Sequence, residues 1–478
     1  MTPAESAAPA AGLAPPPGCP AHGMGGAVLR RLYGPEAEAD PRALYEVLRA
    51  EHGPVAPVLL HGDLPAWLVL GHRENLEVMR SPSRFSNDSR LWRMFREHRV
   101  PGNSPLRPMV EWQPLCVFAD GAEHERLRSA VRDGLDAFDR RGIRRYVIRY
   151  TNQLVDAFEA GGRADLIRDF AEQLPMLVMT QLFGMPESYG PRLVDAALDM
   201  MKGSETALAS NDVVVETLRT LVARKRERPG HDFASRLMAH GAGLDDEEVM
   251  EHLRLVLVAA NETTVNLIAN TLRLVLTDRR FRANLAGGHM TLPDALEQVL
   301  WDEPPLSAIT GRWATGDTDL GGRRIREGDM LLLGLAAGNV DPEIRPDLSR
   351  PLLGNRAHLA FSSGPHECPG QDIGRAIADT GIDTLMARLP DLRLAVADEE
   401  LRWSAAWLSK RLDELPVLFT PPAAVPRPVV TPVPEDFAST SPDPWPEPSP
   451  VASPDGAGMP GDGAVRRSWW SALFGSGR

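Results

Sequence analysis

Phe361-Ser-Ser-Gly-Pro-His-Glu-Cys-Pro-Gly370 is the stretch from which the rest of this chain is read. It sets Cys368 just ahead of a predicted helix opening at Gln371, in which Ile373, Ile377, Leu385 and Leu389 recur at multiples of four. Pro369 suits the first helical position, where its missing N–H costs no helix bond. A sulfur placed there faces unpaired amides and the positive end of the helix dipole, and both favour thiolate over thiol. Phe361 and Gly364 fit a turn folded over the sulfur, and His366 is a polar donor two residues upstream.

The stretch resembles the heme-binding signature of the cytochromes P450, Phe-x-x-Gly-x-His-x-Cys-x-Gly, at every defining position. A buried free cysteine in a Gly/Pro loop is the plainer alternative; five matched positions followed by a helix weigh against it. The resemblance implies one heme b whose iron is held by Cys368, with Phe361, Gly364 and His366 around it. A thiolate axial ligand is one of the few that drives heme iron toward O–O cleavage. The likeness covers about residues 30–420 and implies a mainly helical P450 fold with a smaller β portion.

A second motif lies in the longest helical pattern, from about Asp245 to Thr277, roughly 45–50 Å at helical rise. Its middle (Leu253, Leu255, Val256, Leu257, Val258) is apolar nearly all round, as in a buried helix. Into it is set Ala259-Ala-Asn-Glu-Thr-Thr264, and an acid–hydroxyl pair in a core needs a reason. A threonine hydroxyl bonding back four residues bends a helix locally. With small Ala259 and Ala260, that leaves room for a diatomic ligand above a flat cofactor. The segment resembles the P450 oxygen-activating motif, which implies that Thr263 holds bound oxygen and Glu262 feeds protons. Ala260 departs from the family's preferred glycine.

Two further resemblances concern the heme propionates. His124 and Arg128, four apart on a helix running from about Ala122, resemble the family's His-x-x-x-Arg clamp. Arg312, in Thr-Gly-Arg-Trp-Ala-Thr, stands where the family places a strand arginine, and His366 completes the implied set.

One family motif is broken. The Glu-x-x-Arg helix aligns with Ala295-Leu-Glu-Gln-Val-Leu-Trp-Asp-Glu-Pro-Pro305, which puts Gln298 in the glutamate place and Trp301 in the arginine place. Glu297 is not expected to substitute, since one helical step turns a side chain by about 100°. Arg350 matches the third member, so Trp301 is expected to stack on it and Gln298 to accept its N–H. This resembles an atypical actinobacterial P450 group lacking the motif.

Composition bounds the rest. Three cysteines in 478 residues, with no paired spacing, argue against a disulfide framework or a zinc site and favour a reducing cytoplasm. The N-terminus lacks a signal-peptide pattern, and 52 basic against 65 acidic residues argue against a nucleic-acid partner. Residues 1–26 read as a disordered Ala/Pro-rich leader and 27–420 as the heme domain, with a hairpin over Pro57–Gly71. Residues 421–478 read as a Pro-rich disordered tail, with thirteen prolines by residue 460. The tail's basic-aromatic end, Arg466 to Phe474, suits a partner groove or membrane surface as well as it suits solvent.

The expected activity is a monooxygenase acting on a small organic substrate with electrons from a ferredoxin-type donor, for which Arg126 and Arg132 are candidate docking residues. A heme-binding regulatory or scaffold protein is the alternative. The loop Asn87–Asp120 is expected to roof the pocket. Its Arg90, Arg93, Arg96 and Arg99 fit either an anionic substrate group or water.

Overall fold

The computed structural model describes residues 29–202, 206–278, 291–350, 352, 354–405 and 408–422. The leader and all of the tail beyond residue 422 lie outside the described residues.

Period-two and continuous apolar runs near the start build a sheet. Strands β1 (Arg30–Arg31), β2 (Val55–Leu60), β3 (Leu64–Val69), β4 (Phe85–Ser86), β5 (Ile309–Ala314) and β6 (Met330–Leu333) lie in the order β1-β2-β3-β6-β5-β4. β2 and β3 form the expected hairpin, with Val55 opposite Val69 and Leu60 opposite Leu64, and every residue of both strands is buried. β6 then pairs parallel to β3, a long-range join that brings residues 309–333 onto the N-terminal hairpin. The β5–β6 ladder is irregular between Ile309 and Arg312, where Gly311 takes φ +97°. A bulge of this kind re-aims the side chain that follows it, and Arg312 ends up buried.

Helices that surround the site are α1 (Gly121–Asp136), α2 (Arg140–Phe158), α3 (Leu174–Phe183), α4 (Asp246–Thr277), α5 (Leu292–Asp302) and α6 (Gln371–Arg388). α4 starts at a capping box between Asp245 and Glu248, and acidic Asp246, Glu247 and Glu248 face the positive end of its dipole. Among the described residues it alone is long and apolar enough to cross a bilayer, yet most of its apolar stretch is buried within the protein. It is the axis of the helical core: Leu253, Leu257, Val265 and Ile268 pack with Phe170, Leu174, Ile377 and Leu385. A separate apolar cluster backs the sheet, with Trp92, Trp313, Met330 and Leu332 at its centre.

α5 is capped by Thr291 and Asp294 and is buried all round from Ala295 to Trp301. The architecture is mainly helical with a smaller sheet, as expected.

Candidate active site

The Cys368 loop is shaped by backbone geometry. Gly364 takes φ +74°, and a Cβ built there would stand 2.7 Å from the Met79 carbonyl oxygen, so both conformation and space demand glycine. Residues 364–366 make a short 3-10 turn, and the Cys368 N–H donates to Phe361 O at 2.8 Å, closing the loop over the sulfur. α6 begins at Gln371 with Gly370 as its N-cap, so Pro369 stands before the cap and not at the first helical position. Burial pushes the Cys368 thiol above its ordinary value, while the Gly370 N–H, Arg128 and Arg375 pull it down.

Across from the loop, α4 carries an opening. Leu255, Ala259 and Thr263 recur every four residues, and Ala259 is exposed in the middle of an otherwise buried helix. Thr263 Oγ1 donates back to Ala259 O at 2.6 Å, the local bond expected of it. α4 meets α6 near Gly374, where an added Cβ would lie 3.8 Å from Thr264 Oγ1. Glu262 turns the other way and is buried. Asn266 Nδ2 donates to its Oε1 at 3.3 Å, and Arg411 Nη1 stands 3.7 Å from its Oε2. Burial pushes this carboxyl up and Arg411 opposes the rise. Arg411 itself donates to Glu172 Oε1 at 2.7 Å.

The four residues assigned to propionates are brought to the edge of the Cys368 loop from three elements. His124 of α1 lies with its ring 4.0 Å from that of His366, and Arg128 one turn on donates to Glu367 O. Burial drives the His366 imidazole down to about 4 and lowers His124 too. Arg312 is buried, donates to Gly311 O at 2.9 Å, and is pushed down to about 10 by burial, with Asp120 opposing.

His124 Nε2 is buried without a hydrogen-bond partner, and the buried His366 Nε2 has only the Asp120 carboxylate, 3.6 Å away. A buried imidazole nitrogen without a partner, beside a buried arginine that donates to a backbone carbonyl, is the arrangement that an anionic cofactor edge completes. The residues present therefore fit heme b. Asp120 belongs to the same cluster and sequence reasoning missed it. Burial raises its carboxyl, but the His366 ring 3.6 Å away and hydrogen bonds from Ser86 and the Asn87 N–H outweigh that and hold it below its ordinary value. Its position directly before α1 was the available signal.

Behind the loop the expected replacement network is corrected. Arg350 is exposed and pairs only with Asp347 at 3.4 Å among the described contacts. Arg345 takes the inner place instead, donating to Asp302 at 2.8 Å. Gln298 Oε1 accepts from the Leu352 N–H at 3.3 Å, its Nε2 donates to Asp302 at 2.6 Å, and Trp301 Nε1 donates to Asn355 O at 2.8 Å. Glu297, set aside on the sequence, is a buried ionised carboxylate. Burial alone would raise it, but His358 and Arg375 hold it down to about 2.

In the Asn87–Asp120 loop, Trp92 and Met109 are buried while Trp112 is exposed under the Arg90 guanidinium at 4.3 Å. Arg93 pairs with Asp329, Arg96 with Glu327, Arg99 with Glu97 and Arg90 with Asp88, so these arginines serve carboxylates of the chain itself. Arg126 is likewise held by Glu123 at 2.8 Å and Glu248, and Arg132 by Asp133 at 3.2 Å, leaving neither as a free positive charge.

No family model matches the chain. It is 30% identical to the 2-hydroxy-5-methyl-1-naphthoate 7-hydroxylase of Streptomyces carzinostaticus over 77% of this chain and 92% of that one. With cytochrome P450-SU2 of Streptomyces griseolus it shares 32% identity over 87% of this chain and all of that one. The solved structure of CYP154A1 from Streptomyces coelicolor superposes with a TM-score of 0.71 at 31% identity, covering 82% of this chain and all of the other. The cysteine loop, the opened α4 and this kinship together place the chain in the cytochrome P450 family, as a heme b-binding monooxygenase.

Proposed function

We propose that the protein inserts one oxygen atom of O2 into a small organic substrate, using electrons from a ferredoxin-type carrier, with Cys368 as the ligand to heme iron. The observation that carries this reading is the open face of α4 at Ala259 and Thr263, on a helix packed against the one that Cys368 precedes. Bound heme supplies the redox centre at which O2 is activated. His124, Arg128, Arg312 and His366 would hold its propionates, and Phe361 and Gly364 shape the loop that carries Cys368.

Thr263 commits its hydroxyl proton to Ala259 O, which turns the oxygen lone pairs toward the opening. Glu262 is the acid assigned to proton supply: it is buried next to the Thr263 position on α4, burial raises its carboxyl, and Arg411 opposes that rise. Protons must arrive in order, because the second oxygen atom leaves as water.

Residues 27–420 act as one heme domain in the cytoplasm. Gln298 and Trp301 support membership of the atypical actinobacterial group. Intact Glu262 and Thr263 favour catalysis over a scaffold role, and the naphthoate hydroxylase relative supports carbon hydroxylation.

The test is a screen for compounds that shift the heme Soret band, followed by turnover under heavy-isotope dioxygen with ferredoxin and its reductase. One labelled oxygen atom per product molecule is expected. Unlabelled product, or no oxygen uptake with any compound that shifts the band, contradicts the proposal.

A further inference from the structure

One buried carboxylate grips both ends of the loop that carries Cys368. Glu297, on α5, leaves only 6% of its side chain exposed. Its Oε1 accepts from Arg375 Nε at 2.7 Å and its Oε2 from Arg375 Nη2 at 3.3 Å, a two-pronged contact. Oε2 also lies 3.0 Å from His358 Nε2. His358 enters the loop just before Phe361, and Arg375 leaves it about one turn into α6, so the loop departs from and returns to the same carboxylate.

Arg375 does a second thing. Its guanidinium carbon lies 4.4 Å from the centre of the Phe361 ring, and the Phe361 carbonyl is the acceptor for the Cys368 N–H. Contacts thus run without a break from Glu297 through Arg375 and Phe361 to the backbone of the cysteine. A planar guanidinium bound by both prongs fixes orientation as well as charge. Removing one partner of a buried pair leaves an uncompensated charge, so the loop is not free to relax away from it.

We propose that Glu297 and Arg375 are positioning residues for the thiolate, holding the loop in the one shape that presents Cys368 to iron. This rests on Cys368 being the axial ligand. The pair does its work without the arginine that Trp301 replaces, because α5 is buried on every side and Glu297 reaches α6 directly. A neighbouring ion pair provides the control. Arg345–Asp302 also anchors α5, with Arg345 equally hidden, but its bonds run to the segment around residue 345 and not to the cysteine loop.

The experiment compares heme-loaded wild type with Glu297→Gln, Arg375→Lys and Asp302→Asn, reading the ferrous carbon-monoxide spectrum and the melting temperature. The fraction showing the red-shifted thiolate band should fall several-fold in Glu297→Gln and by a smaller factor in Arg375→Lys, which keeps the charge but loses the fork. Asp302→Asn should lower the melting temperature while keeping the wild-type thiolate fraction. If Glu297→Gln loads no heme, Arg375→Lys is judged by the same ratio. A wild-type thiolate fraction in Arg375→Lys, or an equal loss in Asp302→Asn, overturns the proposal. A wild-type protein lacking the thiolate band would instead sink the ligand assignment, and the pair's role with it.

Discussion

The guanidinium carbon of Arg345 lies 5.5 Å from the centre of the Trp301 ring, while its Nη1 donates to Asp302 at 2.8 Å. An indole, an amide and an ion pair therefore fill the space that the family gives to a Glu-x-x-Arg network. Restoring that pattern with Gln298→Glu and Trp301→Arg would set two guanidiniums against each other in a core fitted to an indole. The double variant should lose about 2–4 kcal/mol of stability, read by thermal or denaturant unfolding of the heme-loaded protein. A raised melting temperature would show the native pair to be a defect.

Gly364→Ala meets two obstacles at once, a left-handed φ of +74° and the Met79 carbonyl 2.7 Å from the new methyl. About 1–3 kcal/mol of strain is expected, and it falls on the turn that folds over Cys368. Heme retention after gel filtration should drop well below that of wild type. Full retention would mean that the loop reshapes at no cost.

Acid should expose the Glu297 pair. Its carboxyl is held down to about 2 in the folded chain, against an ordinary glutamate value of 4.5, so between those values the unfolded chain binds more protons. The pair's contribution is complete above pH 4.5 and is lost as pH falls toward 2, a difference on the order of 3 kcal/mol. Wild type and Glu297→Gln should therefore differ most in unfolding free energy near neutral pH and converge near the bottom of that window. A gap independent of pH would contradict the ionised pair.

Thr263→Ala removes the hydroxyl above the Ala259 opening and a single back-bond, worth about 1 kcal/mol at most. Fold and heme content should survive, while product formed per electron consumed falls several-fold and peroxide rises. Unchanged coupling would make Thr263 a helix residue only.

What the sequence made legible was local and regularly spaced. The Cys368 loop announces itself by residue types at set intervals, α4 by its apolar length, and the first hairpin by two apolar runs around a turn. Glu297 was hidden by a sound rule applied to the wrong surroundings. One helical step does turn the side chain by about 100°, but α5 is buried all round, so the turn carries Glu297 toward α6 and not out to water. Arg345 and Arg350 lie in a stretch without regular secondary structure, where no period says which arginine turns inward. Arg411 reaches Glu262 from a three-residue strand far along the chain, and nothing local marks that approach.

The central claim is that Cys368 delivers a thiolate to heme iron, and the ferrous carbon-monoxide spectrum tests it most directly. Wild type should show the red-shifted Soret band of thiolate-ligated heme, and Cys368→Ala should lose it entirely, since Cys116 is fully buried with its thiol pushed up to about 11. A Cys368→Ala protein that kept that band would contradict the account.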